Sequence, residues 1–364
     1  MKKLKEIRMH LEENGIDLAL VTTPDNVFYL SGFKSEPHER LLAVAVFRDA
    51  EPFIIAPKME VPDVKAAGWT GESVGHEDTD DAWLIVEQAI RNRGITPSRI
   101  AIEKSHLNVE RFERVKELYP EASFTGLDSK LNAMRNIKDE TELEKLRKAA
   151  ELADYAIGVG CREIAEGKTE LEILTAIEFE MKKKGVSHMS FDTMVLSGKK
   201  TASPHGTPGD RKIRKGDFIL FDLGVVWEGY CSDITRTVAF GEPTEEMRNI
   251  YETVKRAEQA AVDAVKPGVR AMDLDKVSRD VITEAGYGEY FTHRLGHGLG
   301  ISVHEFPSLH GSNEMELQEG MVFTIEPGIY HPDITGVRIE DDVVVTANGV
   351  EVLTKFPKEL QIIS

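Results

Sequence analysis

The alternation of apolar and polar positions divides the chain into two parts that are built differently. In residues 1–126, short runs with a strand-like period alternate with runs that have a helical period. Strands are predicted at Leu18 to Val21, Leu41 to Phe47, Phe53 to Ile55 and Arg99 to Glu103, and helices up to Asn14, from Asp81 to Asn92 and from Val109 to Tyr119. The first part is therefore predicted to be a small α/β domain.

The second part, residues 139–364, groups its predicted helices in pairs. Residues 127–138 keep neither period and are interpreted as a linker. Beyond them the pattern predicts helices from Asp139 to Ile164, from Thr169 to Lys184, from Thr244 to Val265 and from Met272 to Ala285. Strand patterns follow each pair of helices. This weak two-fold repetition predicts an α+β domain.

Two aspartates stand in an otherwise apolar strand pattern of the second part. If a turn forms between Trp227 and Glu228, Asp222 and Asp233 become cross-strand neighbours with Cβ atoms about 5 Å apart. Ionised carboxylates that close repel each other unless a cation lies between them. No lysine or arginine stands between these aspartates, so the cation is either a remote side chain or a metal ion. Two solvent-facing aspartates beside an ordinary hairpin are the alternative.

A second acidic pair stands in residues 321–345. Folding this segment about Asp333, with a loop from His331 to Gly336, pairs Glu326 with Glu340 across an antiparallel ladder. Both glutamates alternate with apolar neighbours, which predicts that both are buried. Glutamate is seldom buried without a partner, so this pair also calls for a cation.

His297, which is framed by Gly296 and Gly298, is the candidate that completes a metal site. Glycines beside a histidine let a ligand approach closely, although a lone histidine is more often simply packed. Two divalent cations would balance the four carboxylates, and the imidazole would complete their coordination. Carboxylate-rich ligation favours Mn²⁺, and the imidazole leaves Co²⁺ or Zn²⁺ open. Two ions about 3.5 to 4 Å apart activate a water and polarise a carbonyl, as in aminopeptidases.

Composition narrows the class of protein. The net charge is -18, from 45 basic and 63 acidic residues, which disfavours a nucleic-acid surface. No apolar stretch approaches the ~20 residues that cross a bilayer, so no membrane partner is expected. The two cysteines, Cys161 and Cys231, form neither a disulfide framework nor a zinc knuckle and favour a reducing cytoplasm.

The order and contexts of the five candidate ligands carry a resemblance to a known family. Asp222 stands in FDLG, Asp233 in SDITRT, His297 in GHGLG, Glu326 in IEPG and Glu340 in VRIEDD. The set resembles the metallopeptidases of the pita-bread fold, which comprise Xaa-Pro dipeptidases (prolidases), aminopeptidase P and methionine aminopeptidase. The first part, with its YLSGF segment, is similar to the N-terminal domain of the first two, which methionine aminopeptidases lack. Creatinases share the fold but not these ligands.

The resemblance implies a metal role for each of the five residues. Asp222 would bind one ion through both carboxylate oxygens. Asp233 and Glu340 would bridge the two ions. His297 and Glu326 would hold the second ion. The resemblance also implies that a water bridging the ions attacks the scissile carbonyl, with Glu326 handling its proton.

Other residues match positions near the substrate in the same family. His205 and His304 resemble histidines near the scissile bond, which stabilise developing charge or contact the imide oxygen of proline. Arg338 resembles an arginine that orients substrate and ligands. Phe191 resembles an aromatic residue that lines the pocket.

One position departs from archaeal and mammalian-type prolidases, which have an arginine for the carboxylate of the dipeptide where this chain has Ser308. Firmicute-type prolidases resemble this chain at Ser308, at Arg294 and in the PHER loop. We therefore expect Arg294 to supply the missing positive charge. We also expect the loop of a partner subunit, with Glu36, His38 and Arg40, to close over the site.

The expected function is that of a cytoplasmic Xaa-Pro dipeptidase. An Xaa-Pro bond has no N–H, so an enzyme that cleaves it needs a dedicated pocket. The resemblance implies two divalent metal ions per subunit, with Mn²⁺ favoured, and a homodimer that acts on Xaa-Pro peptides. Aminopeptidase P, which cleaves the same bond in longer peptides, is the closest alternative. A non-catalytic peptide-binding relative is the alternative from another class.

Overall fold

The computed structural model describes residues 2–364 and forms two compact units, one reaching to Met134 and the other spanning Arg135–Ser364. Each unit has its own hydrophobic core. Among the described residues, no helix is both long enough and apolar enough to span a membrane.

The first unit is built on one mixed sheet of six strands. Its strands are β1 Leu18–Val21, β2 Ala43–Phe47, β3 Phe53–Pro57, β4 Glu72–His76, β5 Arg99–Ile102 and β6 Ser123–Gly126, and its helices are α1 Lys2–Asn14, α2 Pro24–Ser31, α3 Val61–Ala66, α4 Ala82–Arg91, α5 Val109–Leu118 and α6 Asp128–Asn136, the last of which runs on into the second unit. The strand order is β4-β3-β2-β1-β5-β6, and β2 pairs antiparallel with both of its neighbours. The short helix Lys58–Glu60 is of the 3₁₀ type.

The elements that the sequence pattern missed in this unit are short or lie at the sheet edges. Strands β4 and β6 are the two edges and are only partly buried, so they lack a strong apolar pattern. Helix α6, Asp128–Asn136, occupies most of the stretch interpreted as a linker, where the sequence pattern keeps neither period. Only Leu131 and Met134 give this helix a buried apolar face, which is too few positions for a period to be recognised.

The second unit contains the remaining elements. Its helices are α7 Glu140–Glu163, α8 Glu170–Lys183, α9 Glu245–Ala264 and α10 Ala271–Glu284, with 3₁₀ turns at Gly198–Ala202 and Gly288–Tyr290, and its strands are β7 Met194–Ser197, β8 Phe218–Leu223, β9 Val226–Trp227, β10 Tyr230–Cys231, β11 Ile234–Phe240, β12 Gly296–Gly298, β13 Glu305–Leu309, β14 Val322–Ile325, β15 Gly328–His331, β16 Thr335–Arg338, β17 Asp341–Thr346, β18 Gly349–Val352 and β19 Ile362–Ile363.

The predicted two-fold repetition is confirmed, because each helix pair packs with one sheet. Helices α7 and α8 share a core with the sheet β19-β11-β8-β7. Helices α9 and α10 share a second core with the sheet β13-β12-β14-β17-β18. The predicted start of α7 is also confirmed, since Asp139 and Glu142 form a capping box. The two acidic segments of the sequence supply β8 and β11 of the first sheet, β14 and β17 of the second, and the two-stranded sheets β9-β10 and β15-β16.

Candidate metal centre and substrate site

The first acidic hairpin forms, but its register differs from the predicted one. Asp222 lies opposite Thr235 rather than opposite Asp233. The turn is centred on Glu228 and Gly229, which both have positive φ values of 47° and 85°, one residue later than expected. Asp233 stands two residues before Thr235 and therefore lies on the same face as Asp222. The pair is diagonal, and both side chains line the same cavity.

The second acidic hairpin has the predicted register. Strand β15 pairs with β16, with Gly328 opposite Arg338, and the same register continues in β14 and β17, with Ile325 opposite Asp341. Glu326 and Glu340 stand between these two paired stretches, and their positions match across the ladder. The connecting loop is shorter than predicted, because β15 extends to His331 and β16 begins at Thr335.

Close backbone packing brings His297 to these carboxylates. A Cβ atom at Gly296 would lie 2.0 Å from the carbonyl oxygen of Thr324, and one at Gly298 would lie 2.0 Å from that of Phe306. Only glycine fits at either position, so β12 can approach its neighbours closely. The backbone N–H of His297 donates to Oγ1 of Thr324 at 3.1 Å, which fixes the strand beside the second hairpin.

The cluster itself is compact and buried. One ligand atom from each of Asp233, His297 and Glu340 lies within 4.8 Å of the others. Nε2 of His297 is 3.3 Å from Oε1 of Glu326 and 3.7 Å from Oδ2 of Asp233. Asp222 and Glu326 line the same cavity, which has a volume of about 380 Å³. The structure therefore brings all five expected ligands to one cavity.

Burial and mutual repulsion set the electrostatics of this cluster. Burial raises the pKa of Asp233 well above its ordinary value, and the charges of Glu340 and Asp222 raise it further. Burial also raises the pKa of Glu326 to about 7 against the opposing effect of Arg338. Burial lowers the pKa of His297 to about 3, so its imidazole is neutral.

Arg338 connects the cluster to the cavity wall. Its Nη2 donates to the Asp222 carboxylate, and its Nε donates to Oγ1 of Thr235 at 3.0 Å. The Thr235 hydroxyl in turn donates to Oε2 of Glu340 at 2.6 Å. Arg338 is thus held by hydrogen bonds beside two of the expected ligands, Asp222 and Glu340.

Sequence reasoning missed two residues of this wall, Tyr330 and His293. The Tyr330 hydroxyl accepts from Nη1 of Arg338 at 2.8 Å and lies 2.8 Å from Nε2 of His293. Nδ1 of His293 lies 2.7 Å from the carbonyl oxygen of Arg294, so Nδ1 carries the proton and the tyrosine donates to Nε2. Burial lowers the pKa of His293 to about 4. The strand period of two gave a usable signal for Tyr330, because Glu326, Gly328 and Tyr330 share one face.

Four of the residues expected near the substrate line the same cavity. Phe191, His205, Arg294 and His304 line it. The ring centroids of His304 and His297 are 4.0 Å apart. Arg294 donates from Nη1 to Oγ of Ser308 at 2.9 Å, so Ser308 contributes by holding this guanidinium.

His38 and Arg40 belong to the first unit, where their loop is anchored locally. Arg40 pairs with Asp78, at 2.7 Å from Nε and 3.2 Å from Nη2. Nη2 of Arg111 donates to the carbonyl oxygens of Glu39 and Arg40. His38 is exposed and has a left-handed φ of 55°. Their expected role concerns a second copy of the chain and stays a prediction.

Comparison with known proteins identifies the family. The sequence profile of metallopeptidase family M24 matches residues 144–347, and that of the creatinase/prolidase N-terminal domain matches residues 3–137. A Bacillus subtilis (strain 168) protein that bears the provisional name dipeptidase YkvY is 50% identical over 363 residues, covering 100% of both chains. The chain belongs to metallopeptidase family M24.

Solved structures similar to this M24 chain include an Xaa-Pro dipeptidase from Bacillus anthracis. It is 36% identical, with a TM-score of 0.93, and the match covers 100% of this chain and 99% of that one. An X-Pro aminopeptidase from Thermotoga maritima is 34% identical, with a TM-score of 0.87, and the match covers 96% and 98%. The predicted α+β pita-bread fold and the expected metallopeptidase class are therefore confirmed.

The residues of this M24 site fit a bound cation. Oδ1 of Asp222 and Oδ1 of Asp233 are buried and have no hydrogen-bond partner within residues 2–364. Nδ1 of His297 lies 3.2 Å from the carbonyl oxygen of Gly298, which places the proton on Nδ1 and the lone pair of Nε2 toward the carboxylates. Lone pairs and carboxylate oxygens that converge without a proton between them repel each other. A cation among them removes the repulsion and supplies the orphaned oxygens with a partner.

Proposed function

We propose that this M24 protein is an Xaa-Pro dipeptidase that uses two divalent metal ions, with Mn²⁺ favoured. The observation that carries the proposal is the buried group of Asp233, His297 and Glu340, with Asp222 and Glu326 on the same cavity. Oxygen-rich ligation with one imidazole favours Mn²⁺ over softer ions and leaves Co²⁺ or Zn²⁺ as substitutes. The similarity to the Bacillus anthracis Xaa-Pro dipeptidase supports this substrate class.

In the proposed reaction, this chain's own residues orient the peptide and move the proton. When bound, the two ions would polarise the scissile carbonyl and lower the pKa of a water. Glu326, whose carboxylate faces the same cavity, would take the proton of that water. His304 and His205, on the rim of the same cavity, would donate hydrogen bonds to the oxygen that gains charge.

Arg294 is the proposed anchor for the free carboxylate of a dipeptide. Its guanidinium lines the cavity and is held by Ser308 at 2.9 Å, which limits its rotation. A cavity of about 380 Å³ suits a small ligand. A longer peptide would present an amide to Arg294 instead of a carboxylate, so we expect dipeptides to be preferred.

The loop with Glu36, His38 and Arg40 is proposed to close over the cavity of a partner subunit in a homodimer. The loop is fixed within its own unit by Asp78 and Arg111, so it is a preformed element. Because Arg40 is already paired with Asp78, the exposed His38 is the side chain best suited to reach a substrate across a dimer interface.

The second candidate function is that of an aminopeptidase acting on longer Xaa-Pro peptides, favoured by the similarity to the Thermotoga maritima X-Pro aminopeptidase. Release of the N-terminal residue from Xaa-Pro and from Xaa-Pro-Xaa, measured side by side with Mn²⁺, Co²⁺ and Zn²⁺, separates the two. We expect cleavage of the dipeptide, little cleavage of the tripeptide, and complete loss of activity with a chelator. Preference for the tripeptide would overturn the dipeptidase proposal in favour of the aminopeptidase.

Three variants and one control test the assigned roles separately. Asp233→Asn should abolish hydrolysis and lower the metal content below about two ions per chain, whereas Asp154→Asn, outside the cavity, should change neither. Arg294→Ala should raise KM for the dipeptide and leave the tripeptide unaffected. An unchanged KM for the dipeptide would remove Arg294 as the carboxylate anchor, and unchanged activity in His38→Ala would remove the loop from the site.

A further inference from the structure

One buried glutamate in the second unit accepts hydrogen bonds from both ends of the loop that carries His205. Glu170 is the first residue of α8 and is fully buried. Its Oε1 accepts from the backbone N–H and the hydroxyl of Ser197, both at 2.8 Å. Its Oε2 accepts from the backbone N–H of Gly209 at 2.9 Å and from Nζ of Lys200. Four donors therefore surround one carboxylate, two on each oxygen.

The donors come from both ends of one loop. Ser197 is the last residue of β7, and Gly209 lies where the chain returns beside the start of α8. His205 stands between them and is exposed, so neighbouring side chains do not enclose its ring. The position of this imidazole depends on the backbone of the loop, and the loop is joined at its base by Glu170.

A second set of hydrogen bonds holds the first half of this loop. The Thr201 hydroxyl accepts from the backbone N–H of Gly336 at 2.7 Å and lies 3.1 Å from Oγ1 of Thr335. This contact fixes the first half of the loop to strand β16, which also carries Arg338. Pro204 and His205 then reach the cavity from a segment that is held on both sides.

Burying a charge as completely as Glu170 is costly unless every oxygen is satisfied. Here the four donors include an ammonium and two backbone N–H groups, and the N-terminus of α8 adds a favourable dipole. A simple helix cap would not need this, because Thr169 and Glu172 already form a capping box at the same terminus. The additional buried carboxylate is explained by the loop that it closes.

We propose that Glu170 is a positioning residue that acts through His205, by clamping the two ends of the Ser197–Gly209 loop. The inference rests on the proposed function, since His205 matters only if a substrate is cleaved in the cavity. Glu170 itself does not line that cavity, and its effect on the reaction is transmitted by the loop backbone.

The test is a double-mutant cycle of Glu170→Gln and His205→Ala, measured as kcat/KM for an Xaa-Pro dipeptide by the wild-type metal-loaded protein and the variants. Glu170→Gln should lower kcat/KM about tenfold in the wild-type background, mostly in kcat, because a misplaced group costs transition-state contacts. In the His205→Ala background the same change should leave kcat/KM almost unchanged. Additive losses would show a general structural role and overturn the proposal.

A second readout does not depend on any substrate. Amide hydrogen exchange of the metal-loaded protein should accelerate in residues 197–209 of Glu170→Gln, since the Ser197 and Gly209 amides lose their charged acceptor. Unchanged exchange there would overturn the clamp. If the wild-type protein cleaves no Xaa-Pro peptide while exchange accelerates as expected, the proposed function fails and the clamp stands.

The control is Glu103→Gln in the first unit. Glu103 is equally buried and accepts from the backbone N–H groups of Thr22 and Thr23. It should lower thermal stability without changing exchange in residues 197–209 or kcat/KM. If Glu170→Gln does not fold, Ser197→Ala takes its place in the cycle, because it removes one of the four donors; it should give a smaller loss with the same dependence on His205, and additivity would again overturn the proposal.

Discussion

Single hydrogen bonds decide how the charged residues of the cavity are held. Tyr330 is the clearest case, because its hydroxyl joins Arg338 to His293 with two contacts of 2.8 Å. Arg338 in turn donates to Asp222 and to Thr235. One phenolic oxygen therefore helps to fix the orientation of a proposed metal ligand that it does not touch.

Replacing this hydroxyl should affect both stability and activity. Tyr330→Phe leaves Nε2 of His293 and Nη1 of Arg338 without their buried partner, which should cost about 1–3 kcal/mol in the free energy of unfolding. Because Arg338 then holds Asp222 less firmly, kcat/KM for an Xaa-Pro dipeptide should fall about tenfold. Urea denaturation and steady-state kinetics measure the two effects.

Tyr251→Phe is the matched control for this change. Tyr251 is also buried, and its hydroxyl donates to the carbonyl oxygen of Lys358 at 3.0 Å, outside the cavity. Tyr251→Phe should lower the free energy of unfolding by a similar amount and leave kcat/KM unchanged. Equal kinetic losses in both variants would contradict a specific role for Tyr330.

At the scale of single residues, the sequence predicts the charged groups of the site better than the residues that hydrogen-bond to them. Asp222, Asp233, Glu326 and Glu340 stand out because carboxylates in apolar strands are costly to bury. The strand period places Tyr330 on the same face as Glu326, but a tyrosine in a strand is ordinary, and the period does not show which atoms its hydroxyl contacts. Its role depends on which atoms face it across the fold, and local pattern contains no information about that.

Strand β12 shows how an element is shaped by its smallest residues. It contains Gly296, His297 and Gly298, and it pairs with both β13 and β14. Hypothetical Cβ atoms at either glycine would lie only 2.0 Å from a neighbouring carbonyl oxygen. The strand can bring His297 to the carboxylates only because nothing projects from the residues beside it.

A methyl group at this strand should therefore be strongly unfavourable. Gly298→Ala places Cβ against backbone atoms of Phe306 and Pro307, which cannot rotate away, so we expect a loss of about 3 kcal/mol in the free energy of unfolding. Gly349→Ala is the control, because no atom lies within 4 Å of a Cβ built there. Similar urea midpoints for the two variants would show that β12 adapts without cost.

Turn chemistry explains why one hairpin register was predicted and the other was not. The second hairpin keeps a constant register from β14 and β17 through β15 and β16, so its centre could be placed from the acidic pair. In the first, the turn uses Glu228 with a positive φ of 47°, a conformation that glutamate seldom adopts. The local sequence therefore pointed to a turn one residue too early, and the predicted pairing of Asp222 shifted by two residues.

The whole catalytic unit is organised around a charge imbalance that folding must tolerate. Five expected ligands from β8, β12 and three other places along the chain converge on one buried cavity. Arg338 lines the same cavity and already pairs with Asp222. The two-fold arrangement of helix pairs and sheets supplies a core on each side, and these cores stabilise the unit against the repulsion at its centre.

Removing the metal should therefore make stability depend on pH in a definite direction. In the metal-free protein, burial raises the pKa of Glu326 to about 7, and the pKa values of Asp233 and Glu340 are raised as well. The folded state then binds more protons than the unfolded state, so the free energy of unfolding falls as pH rises from the ordinary carboxyl pKa, about 4.5, through about 7. For Glu326 alone the loss in the free energy of unfolding is on the order of 3 kcal/mol.

Thermal unfolding of chelated protein at pH 5 and pH 7.5, beside protein saturated with Mn²⁺, measures this pH dependence. The difference in Tm between the two forms should widen with pH and should shrink in Glu326→Gln, whereas parallel pH profiles would contradict a cation-dependent cluster.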